Sequence, residues 1–409
     1  MIKVRARLFA IAGLTACAAL ISASASAQKK YDPGASDSEI RIGQTMPFSG
    51  PASAYATVSK AEAAYFRMIN EQGGINGRKV NLIVYDDGYN PTKTVEQTRK
   101  LVESDEVLLI FGSLGTAHNA AVQKYLNDNK VPQLSLATGA TRFSDPANFP
   151  WTMAANPNYQ TEARIYGRYI LANHPNARIG ILYQNDDFGK DYVIGLKQAL
   201  GDKAASMIVA EAAYEPTEPT VDSQIVRLKS AGADVFYDIS TPKFAAQAIR
   251  KIVELDWKPV HILTINSTSV GGVLKPAGLD ISKGIVSVNW GKDPGDPTWD
   301  NDPGMKKWRA FMDKYYPEGD KNSSFNTYGY GVAQAFEAVL RACGDNLTRE
   351  NVMKQVTSMK DLETDLLLPG IVMSTSPTDY RPIKQLQMMR FNGERWEGFG
   401  PIITDDLSG

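Results

Sequence analysis

The chain has 409 residues, and its 44 Lys and Arg are balanced by 45 Asp and Glu, which gives a formal net charge of −1. This balance provides no overall electrostatic attraction to nucleic acid, so we expect no nucleic-acid partner. Three histidines and two cysteines are too few for a zinc, iron–sulfur or multi-disulfide site of the usual kinds. We therefore expect no metal and no cofactor.

Residues 1–27 have the pattern of a cleaved secretory signal. Lys3, Arg5 and Arg7 precede an uncharged apolar run, and residues 25–27 (ASA) provide the small-x-small cleavage site. The run is too short and too rich in Ala and Ser for a transmembrane anchor, which needs ~20 apolar residues. The mature chain is predicted to begin at Gln28 and to work in the periplasm.

An alternative interpretation treats residues 14–17, which end in Cys17, as a lipoprotein cleavage box. It would leave an apolar tail directly after the lipidated cysteine, so we favour the ordinary signal. Removal of the signal leaves Cys343 as the only cysteine of the mature chain, and no internal disulfide is expected.

Strand-like and helix-like segments alternate from residue 40 to residue 136. Continuous apolar runs predict buried parallel strands, and apolar residues at helical spacing predict the helices between them. Gly73 and Gly74 end the first helix, and Asn90 followed by Pro91 begins the second. The predicted strands are 40–45, 80–85, 107–111 and 131–136. The first predicted helix is 52–70 and the third is 116–129.

A second alternating series runs from residue 159 to residue 289. Strands that alternate with helices of this length form parallel sheets with right-handed crossovers, so two series predict two doubly wound α/β lobes. The predicted helices are 159–173, 188–200, 221–231 and 243–255. The predicted strands are 178–183, 207–211, 234–239, 261–265 and 285–289.

The C-terminal part is predicted to contain helices at 304–315, 325–343 and 348–358. Two strands, 387–391 and 395–399, flank Asn392 and Gly393, a dipeptide typical of a hairpin turn. Cys343 shares a helical stripe with apolar residues, which predicts a buried, unreactive thiol rather than a reactive one.

Catalytic motifs are missing from the sequence. It contains no nucleophile elbow, no phosphate-binding loop and no dinucleotide fingerprint, so we do not expect an enzyme. Ser113 and His118 lie at a strand end, but no orienting carboxylate is near them in sequence. Paired acids at residues 86–87 and 186–187 follow strands. Adjacent carboxylates point apart, which favours loop solvation or helix capping over a metal site.

Ligands of open parallel α/β sheets bind beyond the carboxyl ends of the strands. The loops there in the first lobe are small, hydroxyl-rich and almost uncharged: 47–51, 112–116 and 137–141. The corresponding loops of the second lobe are 184–188, 240–242 and 266–268. Helix N-termini stabilise an anion without Lys or Arg, so a carboxylate held by Thr116 and Thr138 fits this pattern. The alternative is that the small residues only serve tight turns.

Several motifs, in order and spacing, resemble those of the leucine/isoleucine/valine-binding family of periplasmic substrate-binding proteins of ABC importers. They are residues 46–51 (MPFSGP), 69–78 (INEQGGINGR), 85–87 (YDD), 135–141 and 187–189 (DFG). The resemblance implies a type I periplasmic binding protein, with two doubly wound α/β lobes joined by a three-strand hinge. Lobe 1 would comprise residues 38–154 plus 287–365, and lobe 2 residues 155–286 plus 366–409.

The resemblance also implies which residues contact the ligand. In the first lobe Tyr55 would flank the ligand and Thr116 would bind its carboxylate. The other expected contacts of that lobe are Leu114, Ala137, Thr138 and Gly139, within the segment that extends to Thr141. The second lobe would close over the ligand with Tyr159, Phe188, Thr241 or its neighbour Ser240, and Asn266.

The chain departs from the amino-acid-binding members at two positions. Those members hold the α-ammonium with an acidic side chain near the position of Asn266, and they have a tyrosine near that of Thr241. Asp186, Asp187 and Asp238 align poorly as substitutes, and an unpaired buried ammonium costs several kcal/mol. We therefore expect a small organic acid without an ammonium group. Aromatic residues among the expected contacts favour an aromatic one.

The predicted function is that of an extracytoplasmic solute-binding protein that closes on its ligand and delivers it to an ABC permease of the inner membrane. We expect a monomer. The alternative is a sensory receptor domain that reports the ligand to a membrane signalling partner. A secreted enzyme is the weakest of the three hypotheses.

Overall fold

The computed structural model describes residues 29–404, so the expected signal peptide and Cys17 lie outside the described residues. The strands are, in chain order, β1 (Lys30–Tyr31), β2 (Glu39–Met46), β3 (Lys79–Asp86), β4 (Leu109–Phe111), β5 (Gln133–Leu136), β6 (Thr152–Ala154), β7 (Ile179–Gln184), β8 (Ile208–Tyr214), β9 (Val235–Ile239), β10 (Val260–Leu263), β11 (Val286–Asn289), β12 (Asn346–Leu347), β13 (Gln385–Phe391) and β14 (Trp396–Thr404).

The α-helices of the described range are α1 (Ala56–Glu71), α2 (Pro91–Glu103), α3 (Thr116–Asp128), α4 (Tyr159–Asn173), α5 (Asp187–Leu200), α6 (Ala204–Met207), α7 (Asp222–Ser230), α8 (Pro242–Glu254), α9 (Lys275–Ala277), α10 (Pro303–Tyr315), α11 (Ser324–Cys343) and α12 (Arg349–Val356). Within residues 29–404, none of the helices is both long and apolar enough to cross a membrane.

The first lobe is built on five parallel strands in the order β3-β2-β4-β5-β6. The central strands are apolar on both faces because helices cover both faces. Leu109 and Phe111 of β4 pack with Trp308 of α10 and with α1 and α11 on one face, whereas Ile110 packs with Leu101 of α2 on the other. This arrangement confirms a doubly wound lobe.

The second lobe contains a seven-stranded sheet in the order β14-β13-β11-β10-β9-β7-β8. Its strands β7 to β11 are parallel, and β13 runs antiparallel to both of its neighbours, β11 and β14. The hairpin predicted at Asn392 is present, since the Asn392 amide donates to the Arg395 carbonyl at 3.0 Å. The lobe is therefore an α/β unit with a mixed edge.

Strand β11 moves one of the expected lobe boundaries. Val286 pairs with Ile262 of β10 and with Arg390 of β13, so the whole strand lies in the second sheet. The expected boundary between residues 286 and 287 falls inside this strand. Pairing with Gln387–Met389 of β13 keeps residues 287–289 in the second lobe, and the chain leaves that lobe only after Asn289.

The chain crosses between the lobes three times in the described range. It passes from β6 to α4, returns from β11 to α10, and crosses again from α12 to β13. Helices α10, α11 and α12 belong to the core of the first lobe, whereas α4 and α5 belong to that of the second. These three crossings form the hinge.

Local signals in the sequence place several helix ends correctly. The Asn90 side chain accepts from the amides of Thr92 and Lys93, with Pro91 as the first residue of α2. The Cys343 thiol is buried at the end of α11, as its stripe predicts, and burial raises its pKa to about 12.

Other predicted boundaries are wrong. The strand predicted at 261–265 ends at Leu263, and Ile265–Ser267 forms a 3-10 helical turn. The amide of Ile265 donates to the buried carboxylate of Glu162, 103 residues earlier in the chain, at 2.9 Å. A partner so far away in sequence is invisible to a periodicity argument, and so is the short strand β6.

Candidate functional site

A cavity of about 150 Å³ lies between the two lobes, at the carboxyl ends of the strands. Eight of the ten expected ligand contacts line it: Tyr55, Leu114, Thr116, Ala137, Tyr159, Phe188, Thr241 and Asn266. Thr138 and Gly139 are not in its wall. The cavity also extends to residues of the hinge crossings, which the sequence did not point to.

The floor of the cavity is the N-terminus of α3. Gly115 precedes the helix with φ +101°, a left-handed conformation that favours glycine, and a Cβ there would lie 2.3 Å from Nδ1 of His118. Thr116 is the first helical residue, and its hydroxyl shares a 2.7 Å hydrogen bond with that of Thr138. The first amides of a helix lack intrahelical partners, so this floor attracts an anion.

Thr138 and Gly139 lie behind the wall and shape it. The Thr138 hydroxyl accepts from the amide of Ala140 at 3.2 Å, in addition to its bond with Thr116. Gly139 lies under the Tyr159 ring, and its carbonyl accepts from the Tyr159 amide at 2.8 Å. A Cβ on Gly139 would lie 2.8 Å from that ring. Both residues therefore position groups that reach the cavity.

Aromatic rings form much of the remaining wall. Tyr159 stacks on Tyr192 with ring centroids 4.5 Å apart, and the edge of Phe188 meets Tyr159 at 5.4 Å. From the first lobe, Tyr55 packs against Phe325 at 5.1 Å. Such rings supply flat apolar surface for a ligand, with few rotatable bonds to immobilise.

A buried carboxylate holds the turn that carries Asn266. Glu162 of α4 accepts hydrogen bonds from the Tyr166 and Tyr192 hydroxyls and from the Ile265 amide, at 2.7–2.9 Å. The Tyr192 hydroxyl in turn accepts from the side-chain amide of Asn266 at 2.9 Å. Burial raises the pKa of Glu162 to about 7 although three donors oppose the shift.

Hydrogen bonds beside the cavity cross the cleft between the lobes. The Tyr55 hydroxyl donates to the Asn266 carbonyl at 3.0 Å, and the Gln184 side-chain amide donates to the Tyr89 hydroxyl at 3.2 Å. Tyr55 and Tyr89 belong to the first lobe, and their partners belong to the second. These contacts bring the two lobes together over the cavity, so the structure is a closed form.

The paired acids have structural roles. Both oxygens of Asp86 accept hydrogen bonds, among them from the Ser49 hydroxyl and amide. Asp186 caps α5 by accepting from the amides of Phe188 and Gly189. Burial raises the pKa of Asp186 to about 6. In the part of the chain that the structure describes, no cluster of His, Cys, Asp or Glu could hold a metal ion.

The Ser113 and His118 side chains do not form a hydrolytic pair. The Ser113 hydroxyl accepts from the Thr45 amide at 2.9 Å, within the sheet. His118 is buried and stacks on the Tyr89 ring with centroids 4.2 Å apart. Burial lowers its pKa, although the nearby Asp87 carboxylate opposes the shift.

The charged side chains in the cavity wall are Lys292 and Asp293, both on the crossing that follows β11. The Lys292 ammonium donates to Asp302 at 2.8 Å and to the Asp365 carbonyl at 3.0 Å. Asp293 accepts from the Gly295 amide, and burial raises its pKa to about 6. The floor around Thr116 contains no charged side chain among the residues lining the cavity.

Several wall residues were missed by sequence reasoning. Tyr89 follows the Asp-Asp pair at the end of β3, and its strand-end position could have marked it. Trp290, Val332, Leu367 and Met373 come from the crossings and from α11. No motif marks them, because they reach the cavity only through the way the lobes are joined.

Two α/β lobes joined by three crossings and closed over a cavity at their strand ends are the architecture of type I periplasmic binding proteins. The chain belongs to the periplasmic binding protein family, whose model matches residues 39–395. The resemblance seen in the sequence is thereby confirmed. Members of this family bind small solutes rather than transform them, and they typically work with ABC permeases.

Relatives and solved structures agree with this assignment. Leu/Ile/Val-binding protein homolog 1 of Brucella abortus (strain 2308) is 24% identical over 355 residues, which cover 83% of this chain and 91% of that protein. A branched chain amino acid ABC transporter protein of Thermus thermophilus with bound valine has a TM-score of 0.82 at 19% identity, covering 91% of this chain and 98% of that one. A fatty acid ABC transporter substrate-binding protein of Thermomonospora curvata has a TM-score of 0.76 at 19% identity, covering 93% and 96%.

Proposed function

We propose that the protein captures a small carboxylate-bearing solute in the periplasm by closing its lobes around it, and that it delivers the solute to an ABC permease. The observation that carries this proposal is the pair of hydrogen bonds, Tyr55 to Asn266 and Gln184 to Tyr89, that close the cleft over the cavity. A ligand that contacts both lobes only in this form shifts the population towards it. The closed form is then the one that the permease recognises.

The floor of the cavity suits a carboxylate. The N-terminus of α3 offers unpaired amides and a partial positive charge, and the Thr116 hydroxyl lines the cavity beside them. Thr138 supports that hydroxyl from behind and fixes its position. An anion can therefore be held without an arginine or a lysine.

The proposed ligand is an organic acid without an ammonium group. An ammonium beside Asn266 would meet an amide, an aromatic wall and a hydroxyl floor, and the nearby Asp186 already accepts from Gln184 and from backbone amides. Relatives of the same fold bind ligands as different as valine and a fatty acid by their names. At such identities the fold is shared but the ligand is not fixed, so the proposed ligand class depends on the residues in the wall of this cavity.

Asp293 supports a second candidate, a branched-chain amino acid. It is the acidic side chain among the residues lining the cavity, and it could pair with an ammonium at the hinge end. The ligand would then lie with its carboxylate on α3 and its ammonium towards the crossing after β11. This candidate predicts that leucine binds and that Asp293→Asn abolishes its binding.

Titration calorimetry with leucine, benzoate and cinnamate decides between the two. We expect binding of the two aromatic acids and none of leucine. Thr116→Ala should weaken acid binding by about 1–3 kcal/mol, the range for a hydrogen bond to a charged group, and Thr116→Ser should restore most of it. Thr92→Ala, an exposed threonine of α2, is the matched control. Tight leucine binding that depends on Asp293 would establish the amino-acid candidate instead.

Closure and delivery are tested separately. Small-angle scattering should show a smaller radius of gyration when the bound acid is present, and Tyr55→Phe should weaken the contraction. A particle that never contracts would contradict the mechanism. Pull-down from membranes with the loaded protein should recover permease subunits. Recovery of a histidine kinase instead would assign a receptor role.

A further inference from the structure

The cavity extends well beyond the floor formed by α3. Its far end is walled by Trp290, Gly331, Val332, Leu367, Met373 and Ile383, which we call the hinge-side subsite. Leu367, Met373 and Ile383 belong to one apolar cluster, and Trp290 packs against it. The Trp290 ring also meets the edge of Tyr328 at 6.4 Å. This end of the cavity is therefore apolar and partly aromatic.

Polar groups near the subsite already have partners within the protein. The Tyr328 hydroxyl donates to the Asn156 side chain at 2.6 Å, and the Lys292 ammonium is held by Asp302. The Asn289 side chain donates to the Gly291 carbonyl and accepts from the Trp290 amide. Water in this end of the cavity would find few free donors or acceptors, and an apolar group would displace it favourably.

Gly331 provides an independent observation that points to a ligand. It lies within the 20-residue helix α11, where glycine destabilises by roughly 1 kcal/mol relative to alanine. Its backbone φ is not positive, and a Cβ built on it would meet nothing within 4 Å. Neither backbone conformation nor packing within the protein requires a glycine at this position.

Gly329 on the same helix shows the contrast. A Cβ on Gly329 would lie 2.5 Å from the Val58 carbonyl, so close packing of α1 on α11 accounts for that glycine. Gly331 lines the cavity, and the space where its side chain would lie is open.

We propose that the hinge-side subsite binds the apolar tail of the captured acid, an aryl or alkyl group, and that Gly331 keeps it open. This inference rests on the proposed function and specifies its ligand class. The carboxylate lies on the N-terminus of α3, and the tail points to the crossings that form the hinge. The cavity is small, about 150 Å³, so the tail is short.

The test is a homologous series of acids on the full-length mature protein. For wild type, affinity should rise by roughly four-fold for each methylene added from benzoate through phenylacetate to 3-phenylpropanoate, until the cavity is full. Gly331→Leu should weaken the binding of 3-phenylpropanoate by at least about ten-fold more than it weakens the binding of benzoate. Gly331→Ala should show a smaller selective loss. Ala342→Leu places the same side chain on an exposed position of α11 and should change neither.

Two results of the acid series would overturn the inference. One is an affinity in wild type that does not depend on tail length, and the other is an equal loss for short and long acids in Gly331→Leu. Xenon separates this failure from failure of the proposed function, because it binds dry apolar cavities without a carboxylate. In one outcome no acid binds, but the NMR chemical shift of dissolved xenon-129 changes when wild type is added and does not change when Gly331→Leu is added. The subsite then stands and the carboxylate proposal falls. If acids bind and xenon does not, the subsite falls.

Discussion

The buried carboxylate of Glu162 should make the stability of the protein depend on pH in a defined direction. Its pKa is about 7 in the folded protein, against an ordinary value of 4.5, and burial is the cause. Between these two values the folded state binds more protons than the unfolded state. Stability from this group is therefore fully present below about pH 4.5 and is lost as pH rises through about 7.

The size of the effect follows from the same two values. Their difference corresponds to roughly 3 kcal/mol, at about 1.4 kcal/mol per pH unit. Between about pH 5 and pH 8 the expected loss is about 2–3 kcal/mol. Glu162→Gln removes the titration while it keeps an oxygen that can accept from the Ile265 amide. The cost of placing an NH₂ group among the tyrosine hydroxyls is independent of pH.

Urea denaturation of wild type and Glu162→Gln at about pH 5 and pH 8 measures this directly. Relative to that of wild type, the free energy of unfolding of the variant should increase by about 2–3 kcal/mol as pH rises. Other buried acids, such as Glu62 with its pKa raised to about 8, titrate in both proteins and cancel in the difference. Glu96→Gln on the exposed face of α2 is the control and should show no such change. A difference between wild type and Glu162→Gln that stays constant with pH would refute the reasoning.

Two further outcomes concern the floor of the cavity and the buried thiol. Gly115→Ala places a Cβ at φ +101° and 2.3 Å from the His118 ring, so it should destabilise by about 1–3 kcal/mol and impair ligand binding. Gly201→Ala also has a positive φ but open space around it, so thermal melts should show the smaller loss. Burial raises the pKa of Cys343 to about 12, so in the folded mature chain the thiol should not react with a thiol reagent at neutral pH and should react fully in urea. Rapid labelling without denaturant would contradict its placement.

Much of the fold could be predicted because its signals are local. The apolar run of β2 and the Asn90-Pro91 start of α2 follow from side chains a few residues apart, and both are present in the structure. The strand ends that face the cavity followed from topology, since ligands of parallel sheets bind at their carboxyl ends. This reasoning placed Thr116 and Phe188 in the wall.

The sequence alone established an alternation of strands and helices, a hydroxyl-rich floor at the start of α3 and a family resemblance. Tertiary structure decided that β11 stays in the second sheet, that Glu162 holds the turn at Asn266, and that Gly331 opens onto the cavity. Strand and helix patterns repeat every two or 3.6 residues and can be read from neighbouring positions. The Glu162 contact joins residues 103 positions apart, and the space beside Gly331 exists only once the lobes and their crossings have come together.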